Sequence, residues 1–455
     1  MQAKGAYPSF TSRLAFIIAA AGSAVGLGNV WGFTYVAGAN GGGGFVLIYL
    51  LALAFVAGPA FMAEMLIGRM GKASPPTALG ELQASIGAKL SWPTIGWIGL
   101  VGTIMVLSFY AVIAGQAMYY GLIALQGGFA GWPEGAVVAL DADFKADPLA
   151  MALWSAVFMA FTAAIVSFDI RTGIERAGKV MMPTLFVMLI GLVIYSGQTG
   201  DMGRAVDFLF GFHEINFTSR LFLEAVGQAF FTLGVGVGGI MTYGSYMGDD
   251  VKLPRATFWI VAMDLFVALA AGLAIFPLVF ASGVEPTAGP GLVFLTLPII
   301  FTEIPGGAFV AFAFFLLLTF AAVTSSISLL APTVARMTEG RTGRPFAACL
   351  MAGTAFIASL ATVYSFSDGR EVYPLAALGF DGLTAFDLIR EGVSNFILPL
   401  SGLAYCLIIG WALRRDDVRA ALPMADGRLF TLWYMVVRII APLAITALFI
   451  GAVLG

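Results

Sequence analysis

Residues 22–29 read GSAVGLGN and stand in the middle of an apolar segment that begins near residue 13. A second run of the same kind, residues 232–239 with the sequence TLGVGVGG, interrupts another apolar segment later in the chain. Each run places three or four glycines within about two helical turns, and each glycine costs roughly 1 kcal/mol of helix propensity relative to alanine. In a membrane, unwound backbone is tolerated only where it is buried in protein or lines a cavity. The two runs therefore predict two broken membrane helices beside a site.

The composition places these runs in a membrane protein. Of the 455 residues, 60% are apolar and only 11% are charged, whereas about a quarter of the residues of a soluble domain are charged. A water-soluble enzyme is thereby excluded. The net charge is −3 without a basic block, so we expect no nucleic-acid partner. One histidine and two cysteines cannot form a His/Cys metal centre.

The apolar segments predict an all-α polytopic membrane protein with about eleven transmembrane helices in a single domain, residues 1–455. Each segment is long enough to cross a hydrocarbon core about 30 Å thick. The expected spans are residues 13–37, 41–70, 92–126, 149–168, 178–197, 222–247, 256–283, 306–338, 345–366, 383–412 and 429–454.

The glycine-rich runs occupy the first and the sixth span, five helices apart. Two five-helix units are therefore expected, residues 12–197 and 222–412, followed by an extra helix at 429–454. Because five is odd, the second unit runs inverted relative to the first. Interrupted segments at matching positions of two halves are the sequence sign of a transporter site. The alternative is that these glycines only allow close helix packing.

The basic residues predict the orientation. With the N-terminus inside, the cytoplasmic segments hold seventeen of the 23 Lys and Arg residues and the outer segments five. This asymmetry favours a cytoplasmic N-terminus, and eleven spans place the C-terminus outside. We expect a multi-pass protein of the bacterial inner (cell) membrane.

Motifs in and between the spans resemble the neurotransmitter:sodium symporter family, including bacterial members such as the leucine transporter. The resemblance covers nearly the whole chain in order. It rests on Ser12-Arg13-Leu14, residues 22–31 (GSAVGLGNVW), Asn40-Gly41-Gly42-Gly43 leading to Glu64 and Gly68-Arg69, residues 228–233 (QAFFTL) with the glycines that follow, Tyr243-Gly244-Ser245-Tyr246, Thr324-Ser325-Ser326 and Pro332.

The resemblance implies sodium-driven uptake by alternating access, with two Na⁺ sites. The first would use the Ala24 carbonyl, the Asn29 side chain, Thr232 and Asp264. The second would use the carbonyls of Gly22, Val25 and Ala321 with the hydroxyls of Thr324 and Ser325. All are the hard oxygen ligands that a hard cation requires.

Asp264 stands where relatives carry an asparagine, among apolar neighbours. An intramembrane carboxylate is a functional hypothesis by default; the alternative is a structural, hydrogen-bonded acid. Animal relatives balance the sodium charge with chloride. Since Asp264 supplies a permanent negative charge, we expect transport to be independent of chloride.

The resemblance also implies a substrate pocket for an amino acid. The carboxylate of the substrate would bind the amides of Leu27 and Gly28 and the Tyr110 hydroxyl. The amine of the substrate would bind the carbonyls of Ala24, Phe231 and Thr232. The side-chain pocket would be Val106, Phe231, Gly234, Val237, Ser325 and Leu329. These walls favour a hydrophobic or aromatic amino acid. Glycine at 234 also occurs in relatives that carry GABA or taurine, which keeps an ω-amino acid as the alternative.

The expected gates depart from the family pattern. The Arg-Phe-Pro-Tyr motif of relatives reads Gly32-Phe33-Thr34-Tyr35 here, so the usual outer arginine is missing. Arg390 or Glu391 falls at the position of its aspartate partner, and Arg390 is the expected replacement charge. On the inside, Tyr246 and Glu339 match members of the inner gate, with Lys4 as a partner for Glu339.

Three other functions compete with sodium symport. A channel would need a continuous polar lining, whereas the polar residues here cluster at two breaks. An intramembrane enzyme would need a partner for Asp264 that the sequence does not supply, so we expect no catalytic residue. Proton coupling through Asp264 remains the less favoured alternative. The expected partners are the substrate, the bilayer and a second copy of the chain in a homodimer.

Overall fold

The structure is a computed structural model that describes residues 9–211, 218–248, 250–283, 289–368, 383–422, 424 and 427–454. Across these residues the regular structure is entirely helical. The prediction of an all-α polytopic membrane protein is therefore confirmed. The sequence suggests a surface position for His213 and an inner ion pair for Lys4. Both residues lie outside the described part of the chain.

In the described part of the chain, nine helices are long and apolar enough to cross a membrane by themselves. They are Gly43–Gly71, Trp92–Leu125, Pro148–Ser167, Ile174–Thr199, Leu253–Ala281, Gly307–Glu339, Arg344–Ser367, Ala385–Ala412 and Gly427–Ile450. They correspond to the second to fifth and seventh to eleventh predicted spans.

The first span is broken, as its glycines predict. Its halves, Arg13–Ala24 and Gly28–Ala39, meet at an angle of 48° and together form a tenth crossing. The first half begins where the Ser12 side chain accepts a hydrogen bond from the Ala15 amide at 3.2 Å, which caps an exposed helix end. It ends at Val25, whose backbone is extended (ψ 106°).

The sixth span is broken more deeply. Its halves, Ser219–Leu233 and Gly239–Ser245, are each too short to cross a membrane alone. Between them Gly234, Gly236 and Gly238 have φ values of 63°, 102° and 80°. This left-handed region is open to glycine at little cost and costs an L-residue about 1–2 kcal/mol, so the alternating glycines end the helix.

Glu64, from the second span, stabilises the sixth-span break. Its fully buried carboxylate accepts hydrogen bonds from the amides of Gly236 at 2.8 Å and Gly238 at 3.0 Å. Those amides have lost their helical partners, and a buried amide without a partner costs about 1–3 kcal/mol. A neighbouring helix thus supplies the acceptor that keeps the segment unwound.

Short helices connect the spans: Pro75–Ile86, Glu134–Ala146, Met202–Phe210, Thr296–Glu303 and Arg415–Ala421. The long helices expose large apolar side chains, among them Leu149, Val187 and Phe309, as expected for helices that face lipid. Both breaks are instead buried between the third, seventh, eighth and tenth spans. The fold therefore brings its unwound backbone together at its centre.

Candidate ion and substrate site

Asp264 lies fully buried in the seventh span, where both breaks meet. Its Oδ1 accepts hydrogen bonds from Asn29 Nδ2 at 2.8 Å and Thr232 Oγ1 at 3.0 Å, and the Tyr49 hydroxyl lies 3.5 Å from Oδ2. Asn29 follows the first break and Thr232 precedes the second. One carboxylate thus joins the two broken helices.

This group, which we call the charged site, has the chemistry of a cation site. Asn29 is held in place from both ends, because its Oδ1 accepts from the Gly26 amide at 2.9 Å while its Nδ2 donates to Asp264. The amide, hydroxyl and carboxylate oxygens are hard ligands suited to Na⁺. A buried carboxylate is costly unless it is hydrogen-bonded or paired with a cation. Ala24, the remaining predicted ligand, lies buried just before the first break.

A second group of oxygens, which we call the neutral site, joins the first break to the eighth span. Thr324 Oγ1 lies 3.0 Å from the Ala321 carbonyl and 3.4 Å from that of Val25. Ser325 Oγ lies 3.2 Å from the Val25 carbonyl and 3.5 Å from that of Gly22. All five predicted ligands therefore converge. These ligands would bind a cation through carbonyl and hydroxyl oxygens, without a carboxylate.

A central cavity lies against both oxygen groups. Its walls are largely apolar. The residues that line it belong to the two broken spans or to the third, eighth or tenth span. It is lined by Ser23, Ala24, Gly26, Gly28, Val106, Tyr110, Phe231, Thr232, Gly234, Val237, Gly239, Ser325, Ser328, Leu329 and Leu398. All predicted substrate residues except Leu27 are on this wall.

Leu27 contributes its backbone instead. Its amide donates a hydrogen bond to the Tyr110 hydroxyl at 3.2 Å, which brings the third span to the first break. A side chain on Gly26 would overlap Ser325 Oγ, and its Cβ would lie 2.8 Å from the Tyr110 hydroxyl. Gly26 is therefore required by close approach, and it lets Tyr110 and Ser325 reach the same end of the cavity.

The cavity is small in this conformation, about 40 Å³, which is room for only a few water molecules. A ligand of amino-acid size requires its walls to move apart. The broken helices provide such a movement, because a half-helix can tilt about its unwound segment without breaking the helical hydrogen bonds on either side.

A larger cavity of about 370 Å³, which we call the vestibule, continues beyond Phe231. Phe231 lines both cavities and separates them. Arg390 and Glu391, the predicted gate residues, line the vestibule and lie 3.8 Å from each other. Across it, Arg220 pairs with Glu224 at 2.7 Å. The tenth and sixth spans thus each carry a matched pair of charges.

Gln228 occupies the space beside Gly32, where relatives carry the outer arginine. A Cβ at residue 32 would lie 3.2 Å from Gln228 Nε2, and this atom donates a hydrogen bond to the Gly28 carbonyl at 2.7 Å. The neutral amide therefore ties the sixth span to the first directly, without an ion pair.

At the opposite end of the bundle, the carboxylate of Glu339 caps the connecting helix Pro75–Ile86. It accepts hydrogen bonds from Ser74 N at 2.6 Å and from the Thr77 hydroxyl at 2.7 Å, and Arg336 lies 3.7 Å away. Tyr246 is buried at the end of the sixth span, and its carbonyl accepts from the Phe10 amide at 3.2 Å. The chain before the first span therefore packs against this end of the sixth span.

Two broken helices that meet at oxygen groups beside a buried cavity define a secondary transporter with sites for small cations and a small solute. The chain belongs to the sodium:neurotransmitter symporter family, whose model matches residues 7–137 and 134–454. It is similar to an uncharacterized sodium-dependent transporter, YhdH, of Bacillus subtilis, with 34% identity over 98% of this chain and 97% of that one. Its family membership thus makes the protein a sodium-dependent transporter, since the members of this family are transporters and not enzymes.

Two further relatives are themselves described with amino-acid solutes. The crystal structure of MhsT in complex with L-phenylalanine matches with a TM-score of 0.90 and 37% identity, over 98% of this chain and 99% of that one. The sodium-dependent neutral amino acid transporter B(0)AT2 of Bos taurus is 26% identical over 60% of this chain and 41% of its own length.

Sequence reasoning did not assign a role to several residues of the site. Tyr49, Glu64 and Gln228 are buried and bonded to the breaks or to Asp264, and Ser328 and Leu398 complete the cavity wall. Glu64 offered a signal, since it is an acid within an apolar span. Leu398 offered none, because nothing distinguishes it from lipid-facing leucines.

Proposed function

We propose that this protein is a Na⁺-coupled symporter that takes up a hydrophobic or aromatic α-amino acid by alternating access. One observation carries the proposal: a largely apolar cavity lies between a charged and a neutral oxygen group, at the point where two broken helices meet. The broken helices make the backbone polar groups at that point available to a ligand, as an amino acid and a cation both require.

The polar end of the cavity suits the α-amino and α-carboxyl groups. Amides near the start of a helix attract a carboxylate, and those of Leu27 and Gly28 precede and open the second half of the first span. The Tyr110 hydroxyl, which already accepts from the Leu27 amide, would donate to the carboxylate. The carbonyls of Ala24, Phe231 and Thr232, at the opposite ends of broken helices, suit the ammonium group.

The apolar end of the cavity suits a hydrophobic side chain. Val106, Val237, Leu329 and Leu398 provide its walls, and no charged side chain is among the residues that line it. Burial of an aromatic or branched side chain there contributes roughly 1.5–3 kcal/mol. A crystal structure of a 37% identical relative in complex with L-phenylalanine supports this substrate class.

Coupling follows from the shared residues of the two groups. Thr232 contributes to the charged site and to the cavity, and Ser325 to the neutral site and the cavity. A cation in either group thus fixes a wall of the substrate site. Asp264 would neutralise one sodium charge permanently, so we propose two Na⁺ sites and no requirement for chloride.

The gates lie at the two ends of this path. Arg390 and Glu391 line the vestibule beyond Phe231 and would control access from outside, with Gln228 in place of the usual arginine. Glu339 and Tyr246 would control release to the cytoplasm. We propose that the N-terminus is cytoplasmic and the C-terminus external in the bacterial inner membrane, from the distribution of basic residues. The inverted repeats of residues 12–197 and 222–412, the extra helix at 429–454 and a homodimer stay predictions.

Radiolabelled uptake into proteoliposomes tests the proposal. Phenylalanine, tryptophan, leucine, GABA and taurine would each be supplied with an inward Na⁺ gradient and, as the control, with K⁺ in its place. We expect Na⁺-dependent uptake of the hydrophobic α-amino acids. Uptake that is equal in Na⁺ and K⁺, but rises with an inward proton gradient, would replace sodium coupling by proton coupling through Asp264.

An ω-amino acid is the second candidate, because of Gly234. A Cβ at this position would meet no atom within 4 Å, so the glycine leaves open space that a substrate with a more distant amine could use. Uptake of GABA or taurine without uptake of phenylalanine would favour this candidate and would leave the sodium mechanism intact.

A further inference from the structure

Arg438 carries a charge inside the eleventh span, at a position that the transport site does not use. Its neighbours are Val436, Val437, Ile439 and Ile440, and its side chain is partly exposed. An arginine within a membrane span is costly and usually faces the interior of the bundle or pairs with an acid. Arg438 instead lies on the outer surface, at the groove between the tenth and eleventh spans.

The groove holds the guanidinium in a defined place. Its Cζ lies 4.5 Å from the centroid of the Trp411 ring, and the Trp411 indole nitrogen donates to the Arg438 carbonyl at 2.8 Å. A Cβ on Gly410 would lie 2.9 Å from Arg438 Cα, so the two backbones nearly touch. Trp411 is 60% exposed. One face of the guanidinium is therefore stacked, and its edge remains available to the membrane.

No protein acceptor balances this charge within the described residues. Within that part of the chain the guanidinium of Arg438 forms no hydrogen bond or ion pair, and it lies over the Trp411 ring. Asp416 and Asp417, the nearest acids in the described sequence, are on the helix Arg415–Ala421, which connects the tenth and eleventh spans, and they do not pair with Arg438. A counter-charge from outside the described residues is thus required if the guanidinium is to be neutralised.

Further cations follow the same face of the eleventh span. Phe430, Tyr434 and Arg438 are four residues apart and share one face. Arg415 lies 5.7 Å from the centroid of the Tyr434 ring and Arg419 lies 5.8 Å from that of Phe430. The face therefore forms a continuous row of cations on aromatic rings, which we call the basic groove.

The depth of the basic groove matches a lipid headgroup. Trp411 is the penultimate residue of the tenth span, which ends at Ala412, and the basic pair Arg414-Arg415 follows after Leu413. Tryptophan is enriched at the membrane–water interface, and basic pockets between spans on the cytoplasmic side bind anionic headgroups. At this level the available anion is a lipid phosphate.

We propose that the basic groove binds the phosphate of an anionic phospholipid, with Arg438 as its deepest ligand. The acyl chains would lie against the exposed apolar surface of the tenth and eleventh spans, where Leu407 and Leu432 are exposed. The occupant is a lipid rather than free phosphate, because the site opens toward the bilayer and its surroundings are apolar.

Thermal unfolding of the purified protein in nanodiscs tests this site. Wild type and Arg438→Gln would be compared in phosphatidylcholine alone and in phosphatidylcholine mixed with phosphatidylglycerol. We expect phosphatidylglycerol to raise the unfolding midpoint of the wild type and to have a smaller effect on the variant. Native mass spectrometry should show about fivefold weaker retention of one phosphatidylglycerol, from about 1 kcal/mol per basic residue.

Controls separate lipid binding from packing. Arg255→Gln, which removes an exposed arginine at the start of the seventh span, should keep the full response to phosphatidylglycerol, and Arg438→Lys should keep most of it. A packing role alone would lower the midpoint of Arg438→Gln equally in both lipids and overturn the proposal. So would an equal stabilisation of the wild type by inorganic phosphate in phosphatidylcholine alone. None of these outcomes depends on the substrate or on sodium coupling.

Discussion

The charged site and the neutral site lie on either side of the first break but differ in both charge and partners. The charged site centres on the buried Asp264 and joins the first, sixth and seventh spans. The neutral site has only carbonyl and hydroxyl oxygens and joins the first span to the eighth. A cation in the charged site would be held by full charge, whereas one in the neutral site would be held by dipoles.

We propose that this difference separates two tasks of the transport cycle. A buried carboxylate attracts a cation strongly because the surrounding dielectric is low, so the charged site is suited to hold Na⁺ while the substrate is bound. The neutral site depends on the exact approach of two helices, since its oxygens come from separate spans. Separation of the first and eighth spans would therefore release its cation. We expect changes in the charged site to affect transport most.

The largest effect is expected from Asp264→Asn. Loss of one partner of a buried ion pair costs about 3–5 kcal/mol, so the Na⁺ concentration for half-maximal uptake should rise at least ~100-fold. Uptake against Na⁺ concentration measures this change. Asp201→Asn, at an exposed helix start, is the control and should behave as wild type. If Asp264→Asn keeps the sodium affinity of the wild type, Asp264 has a structural role and does not bind Na⁺.

A smaller loss is expected from Gly26→Ala, which disturbs both sites and the cavity. The added methyl group would overlap Ser325 Oγ and crowd Tyr110, and overpacking costs about 1–3 kcal/mol. Substrate affinity should fall about tenfold or more in equilibrium binding with saturating Na⁺. Gly227→Ala, where a Cβ meets nothing within 4 Å, should bind normally. Equal binding by both variants would show that the first break does not hold the substrate.

Thr324→Val tests the neutral site with a change of nearly constant volume. It removes one hydroxyl ligand, and the net loss of about 0.5–1.5 kcal/mol should raise the Na⁺ requirement about two- to tenfold. Thr319→Val is the matched control, since the Thr319 hydroxyl bonds only the Phe315 carbonyl on the same helix. If both variants shift the sodium requirement alike, the effect belongs to the helix rather than to a cation site.

The smallest effect is expected from replacing chloride by gluconate. Because Asp264 would supply the negative charge of the charged site, Na⁺-driven uptake by the wild type should remain unchanged within error. Parallel uptake assays at constant Na⁺ measure it. A clear stimulation by chloride would mean that the carboxylate does not serve as the counter-charge.

Much of the fold could be predicted from the sequence. The long apolar segments predicted the bounds of the membrane spans to within a few residues, because the thickness of the bilayer fixes the length of a helix that crosses it. The breaks could be predicted because each glycine lowers helix propensity through its own backbone, whatever residues surround it. The fifth span begins at Ile174 rather than near residue 178, since a helix continues past the membrane wherever its backbone bonds are satisfied.

The sequence by itself determined that two helices break and that hard oxygens accompany each break, because these are properties of residues close together in the chain. Only the tertiary structure decided which distant groups meet there. Glu64 reaches the sixth-span amides, Gln228 fills the space beside Gly32, and Tyr49 approaches Asp264. Those contacts depend on how the helices pack, and packing joins residues whose sequence separation carries no information about distance.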